Sequence, residues 1–84
     1  DQDPVIRAQA VNSLSYLDKD NAAEYLNRAL FDKDVSVRMN AVDKADGNRN
    51  LLEQAASDSD PGIRSFAEAK LAQLISREQR YPKK

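Results

Sequence analysis

The sequence predicts an all-α fold: a right-handed α-solenoid of about two and a half helix–turn–helix repeats, with five helices. Two observations carry that prediction. A ten-residue signature recurs three times, at 1–10 (DQDPVIRAQA), 32–41 (DKDVSVRMNA) and 58–67 (DSDPGIRSFA). Between its copies lie apolar-striped segments that also align with one another: 25–32 (YLNRALFD) with 51–58 (LLEQAASD). Self-similarity at a period of 20–50 residues marks stacked repeats, and here the intervals are 31 and 26 residues. Neither kind of segment can bury its apolar stripe alone, so adjacent units must stack to make a continuous core.

Every copy of the signature reads D-x-D-[PV]-x-[IV]-R-x-x-A. The second acid (Asp3, Asp34, Asp60) is an N-cap, its carboxylate accepting from backbone N–H groups two or three residues on. Pro4 and Pro61 then fall at the first helical position, where a missing N–H costs nothing and φ is already set. From each start, apolar residues recur at helical spacing: Ile6, Ala10, Leu14 and Leu17; Val37, Ala41 and Ala45; Ile63, Ala67, Leu71 and Leu74. Each set is expected to form a buried stripe, with the alanines admitting close helix approach. Met39 and Phe66, beside these stripes, read as packing residues.

The second helix of the first unit carries Ala22, Ala23, Leu26, Ala29 and Leu30; that of the middle unit carries Leu51, Leu52, Ala55 and Ala56. Gly47 is the expected stop of the helix before it. The middle unit is five residues short, and the shortfall falls between Arg38 and Leu51, so its first helix or turn is clipped by about one turn. The expected helices are 4–17, 20–31, 35–45, 48–57 and 61–78. They form a single domain, 1–84, with repeats 1–31, 32–57 and 58–80 and a tail, 81–84. The last helix, with no partner before Pro82, is expected to close the stack with Glu68, Arg77 and Glu78 outward. Because the sequence opens at a repeat boundary, further repeats upstream are expected.

Composition narrows the chemistry. With no Cys there is no disulfide, and without Cys or His the usual zinc and iron ligands are missing, so no metal or other cofactor is expected. General acid–base and nucleophilic catalysis by His is excluded with it, and the two glycines, Gly47 and Gly62, make no phosphate-binding loop. No catalytic residue is assigned. Net charge is −1, which recruits neither nucleic acid nor an acidic membrane. The charge is uneven: residues 1–60 hold 7 Lys/Arg against 12 Asp/Glu, and residues 61–84 hold 6 against 2. The basic end (Arg77, Arg80, Lys83, Lys84) reads as the complement of a helix C-terminus and a solubilising tail rather than a docking site. No apolar run approaches the roughly 20 residues needed to span a bilayer. Compartment stays open, the cytoplasm being favoured.

The signature, followed by a second helix ending in A-L-x-D-x-D, resembles the HEAT repeat over residues 1–76, particularly the short HEAT-like repeats associated with phycobilin lyases. Val35, where proline is the pattern, and the clipped middle unit depart from it. The resemblance implies an armadillo-like superhelix in which Asp and Arg pair between adjacent repeats. The ladder here is Arg7, Arg38 and Arg64 with Asp1, Asp32 and Asp58. Those arginines could instead line a groove for an anion, but the forked guanidinium suits bidentate carboxylate pairing. The same resemblance places second-helix residues on a concave face: Glu24, Asn27, Arg28, Asn50, Glu53 and Gln54. Tyr25 and Phe31 there are either aromatic anchors for a partner or covers of the core, and Tyr25 aligns with Leu51. This surface is mixed polar, unlike the Lys/Arg-lined face of HEAT-like DNA glycosylases, and the His-Glu pairs of deoxyhypusine hydroxylase are absent. The expected function is non-catalytic protein–protein interaction or scaffolding, with a protein partner and no membrane, nucleic acid or small molecule. The alternatives are a bilin-lyase-like module handling a chromophore or its carrier protein and, behind it, binding of a nucleic-acid backbone.

Overall fold

Asp3 Oδ1 accepts from the N–H of Val5 at 2.9 Å, Asp34 Oδ1 from Ser36 at 2.8 Å and Asp60 Oδ2 from Ile63 at 3.0 Å. Each copy of the signature thus opens a helix in the same way in the computed structural model, which describes residues 3–80 and their side chains as far as Glu78. The elements are α1 (Pro4–Leu17), a 3₁₀ turn (Lys19–Asn21), α2 (Ala22–Ala29), α3 (Val35–Lys44), α4 (Arg49–Ala55) and α5 (Pro61–Arg80). Among the described residues all regular structure is helical. Expectations for the tail, 81–84, and for Asp1 lie outside the described residues.

Two helices, α2 and α4, are shorter than the sequence expectation by more than one residue, each for a local reason. The stretch read as a helix over 20–31 starts as a 3₁₀ turn because the Asp18 carboxylate holds Asn21 Nδ2 and the Tyr25 hydroxyl, both at 2.9 Å. That stretch ends early because Phe31 and Asp32 bond back to the carbonyls of Arg28 and Ala29, three residues away. The end of α4 repeats this closure, with Ser57 and Asp58 bonding back to Gln54 and Ala55. In the middle unit α3 has 10 residues against 14 in α1, and no 3₁₀ turn precedes α4. The chain turns instead at Gly47, whose φ of +81° lies in the left-handed region that a Cβ penalises.

Packing advances one unit at a time. α1 lies against α2 and α3; α2 against α3 and α4; α3 against α4 and α5; and α4 against α5. Among the described residues α1 touches neither α4 nor α5, and α2 does not touch α5. The resulting slab measures 46 × 30 × 13 Å between Cα extremes.

The core is drawn from α2 (Leu26, Ala29), the turn residue Leu30, α3 with Ala45 (Val37, Ala41, Val42), α4 (Leu51, Leu52, Ala55) and α5 (Ile63, Ala67). Met39, Phe66, Leu71 and Leu74 are half-buried against it. The stripe expected on α1 is not buried. Ile6, Ala10, Leu14 and Leu17 are all exposed, and α1 has no buried residue. α1 turns its opposite face to the core through Ala8 and Val11, and its Asn12 exchanges amide hydrogen bonds with Asn40 of α3 at 2.8 and 3.3 Å.

Candidate interaction surfaces

The signature arginines and aspartates form a chain of hydrogen bonds from one helix opening to the next. Arg7 makes a bidentate pair with Asp32, Nε to Oδ2 and Nη2 to Oδ1, both 2.9 Å. Asp32 Oδ1 also accepts from the N–H of Asp34 at 2.9 Å, and its backbone carbonyl accepts from Arg38 Nη1 at 2.8 Å. Arg38 Nε donates onward to Asp58 Oδ2 at 2.9 Å. Asp58 repeats the pattern: Oδ1 takes the N–H of Asp60 at 2.8 Å, and its carbonyl takes Arg64 Nη1 at 2.9 Å. Arg64 Nη1 also reaches the Ser59 carbonyl at 3.0 Å, and among the described residues Arg64 meets no carboxylate.

Charge responds to these contacts. The Arg7 guanidinium holds the Asp32 carboxyl below the usual carboxylate range, and Asp32 in turn raises the Arg7 guanidinium. Hydrogen bonds from Ser36 lower Asp34, and those from Asn21 and Tyr25 lower Asp18. The Tyr25 hydroxyl is raised by the carboxylate it bonds. For three acids depressed on folding, the unfolded chain takes up protons first as pH falls. Their stabilisation is therefore complete above about pH 5 and is lost as pH drops through the lowered values. We expect a melting temperature that is flat from pH 7 to about 5 and falls steeply below about 4. In Asp32→Asn the plateau should be lower and the acid limb shallower. Thermal melts across pH check this, and equal acid slopes in the two proteins would contradict it.

Four of the eight residues expected to meet a partner divide between two depressions. Phe31, exposed over 72 % of its surface, and Gln54 line a cleft of about 360 Å³ with Leu30, Arg38, Ser57 and Asp58. Tyr25 and Arg28 line a separate groove of about 320 Å³ between α1 and α2. Tyr25 is half-buried with its hydroxyl held by Asp18, and Arg28 pairs with Glu24 at 2.8 Å on the exposed face of α2. Asn27, Asn50 and Glu53 are exposed and line neither depression.

Other contacts were not legible in the repeat. Asp18 organises the 3₁₀ turn. Lys70 of α5 reaches Asp46 at 3.2 Å and lies 5.1 Å from the centre of the Phe66 ring. Arg49 pairs with Glu78, tying the start of α4 to the far half of α5. None of these occupies a signature position, and the only sequence cue was charge of opposite sign on segments expected to be neighbours. Glu68, Arg77 and Glu78 are exposed on α5. Among the described residues no three of His, Cys, Asp and Glu converge as a metal-binding group, and no helix is long and apolar enough to cross a membrane. No family model, curated protein or solved structure matches the chain.

Proposed function

We propose that the chain is a non-catalytic protein-interaction or scaffolding module, a right-handed α-solenoid of about two and a half HEAT-like repeats. The single observation that supports this reading best is the relay Arg7–Asp32–Arg38–Asp58–Arg64, which ties each helix opening only to its neighbours. Helix contacts confined to adjacent units agree with it. In the relay, guanidinium donors are consumed by carboxylates and carbonyls, which speaks for a structural ladder over an anion groove. A solenoid of this kind offers side chains along its length while leaving its core undisturbed.

The partner-binding surface we assign is the cleft edged by Phe31 and Gln54, flanked by the polar faces of α2 and α4. An exposed aromatic side chain beside a polar cleft is the usual anchor of a protein interface. The test is affinity capture with the chain as bait, comparing the native sequence with Phe31→Ala. Partners retained by the native chain and lost with Phe31→Ala, at unchanged melting temperature, would support the reading. An identical set of bound proteins for both baits would remove the assignment.

A further inference from the structure

Because the three helix openings are equivalent, the structure shows what normally lies on each face of a repeat. On α3 the face that carries Val37, Asn40 and Ala41 is turned to α1, as the Asn12–Asn40 bonds establish. On α5 the same positions are Ile63, Phe66 and Ala67, on the side from which Lys70 reaches Asp46 at the end of α3. On α1 they are Ile6, Gln9 and Ala10, and all three are exposed. The contrast is large: Ile6 is 47 % exposed where Val37 is 1 % and Ile63 is 0 % exposed. Among the described residues, five of the eight exposed large apolar side chains belong to α1: Val5, Ile6, Leu14, Tyr16 and Leu17.

The groove beside this face extends the equivalence to the second helix. Beside the charged Arg7, Arg28 and Asp32, its lining includes Ile6, Ala10, Leu14, Tyr25 and Ala29. Their counterparts one unit on are Val37, Ala41, Ala45, Leu51 and Ala55, every one buried in the core. The difference lies in what packs against them: α3 has α1 and α2 on its near side. The opposite end of the stack does not share this character. Where α1 has Val11, packed against the core, and α3 has the buried Val42, α5 has Glu68, which is exposed.

We infer that the α1–α2 groove is a docking seat for a helical hairpin of the same chemistry as the chain's own units. Its contact residues would be small and medium apolar side chains on the first helix, at the positions of Ala8 and Val11. The second helix would carry leucines four apart, at the positions of Leu26 and Leu30. Those positions lie in or against the core of this chain, where α1 and α2 already pack on α3, so the seat continues an interface the fold builds once. The inference rests on the stacked-repeat reading above but concerns a different surface from the Phe31 cleft.

The first unit spans 31 residues, so a second copy of residues 1–31 placed directly ahead of Asp1 reproduces the Phe31–Asp32 junction in phase. In this tandem protein the added hairpin should dock. The melting temperature should rise by about 5–10 °C and the denaturant slope should increase, within a single transition. Ile6→Glu together with Leu14→Glu in the original copy should leave the 84-residue chain almost unchanged, because both positions are exposed there, yet abolish the gain in the tandem protein. An unchanged melting temperature and slope, with the added residues cleaved by protease, would overturn the inference. So would sedimentation showing that the 84-residue chain pairs through this face and that the two glutamates disperse it, since a second copy would then be the occupant. Failure of the underlying stacking reading is separable. It would appear as a loss from Leu52→Ala no larger than that from Leu14→Ala, measured on the 84-residue chain alone.

Discussion

Leu52→Ala is expected to lower stability by about 3 kcal/mol, the largest loss from any single truncation in this fold. Leu52 sits in α4 with 0 % exposure, among the largest fully buried side chains, where α4 meets α2, α3 and α5. Removing three carbons there forfeits the transfer free energy and leaves a cavity, because four helices bound to one another by short turns collapse only in part. A domain of this size holds about 4–12 kcal/mol in total. At about 4–8 °C per kcal/mol, the melting temperature should fall by about 12–24 °C, which leaves the variant close to unfolded near body temperature. Leu14→Ala is the control: the same chemistry on α1, at 44 % exposure, should cost well under about 1 kcal/mol. Chemical denaturation of both variants checks the contrast. Equal losses would mean that the core does not lie where α4 crosses its neighbours.

That contrast also marks where sequence reasoning stopped. The helix openings were readable because capping is local: an Asp, a Pro or Val, and a helix-phased apolar residue fix the start whatever lies around them. The Arg7–Asp32 and Arg38–Asp58 pairs came from the resemblance, since nothing in the spacing of 25 or 20 residues says that two side chains meet. The apolar stripe of α1 misled for a definite reason. Periodicity reports which face of a helix is apolar, not whether a neighbour is present to cover it, and Ile6, Ala10 and Leu14 have the same phase as the buried Val37, Ala41 and Ala45. The shortened second helix was hidden for another reason. Its first turn is decided by the Asp18 carboxylate, whose two partners, Asn21 and Tyr25, carry no helix-stop signal of their own. Of the residues expected to meet a partner, the resemblance placed Glu24, Asn27, Arg28, Asn50, Glu53 and Gln54 on a concave face, and all six are exposed. The division that puts Phe31 in one depression and Tyr25 in another has no signal in the sequence.

Arg38→Met should cost about 2–3 kcal/mol, a fall of about 8–24 °C in melting temperature, although it replaces one long side chain by another that fills similar space. Arg38 is the middle rung: it holds the carboxylate of Asp58 in the following unit and the carbonyl of Asp32 at the opening of its own, so its loss unties the third unit and loosens the start of α3. Its side chain is 16 % exposed and that of Asp58 is 8 %, so water cannot fully replace the lost donor. Asp58 would keep its bond from the N–H of Asp60 but would hold a nearly buried charge without its counterion. That stranded charge is the main source of the loss, which gives a sharper test than the single variant. Adding Asp58→Asn to Arg38→Met removes the charge, so the double variant should be less destabilised than the two singles combined, by about 1–2 kcal/mol. Arg28→Met gives the baseline, because its pair with Glu24 is 73 % and 58 % exposed and should contribute less than about 0.5 kcal/mol. Additive losses at Arg38 and Asp58, or an Arg38→Met loss no larger than that of Arg28→Met, would mean that the repeats are held by their apolar contacts alone and that the relay is incidental to the stack.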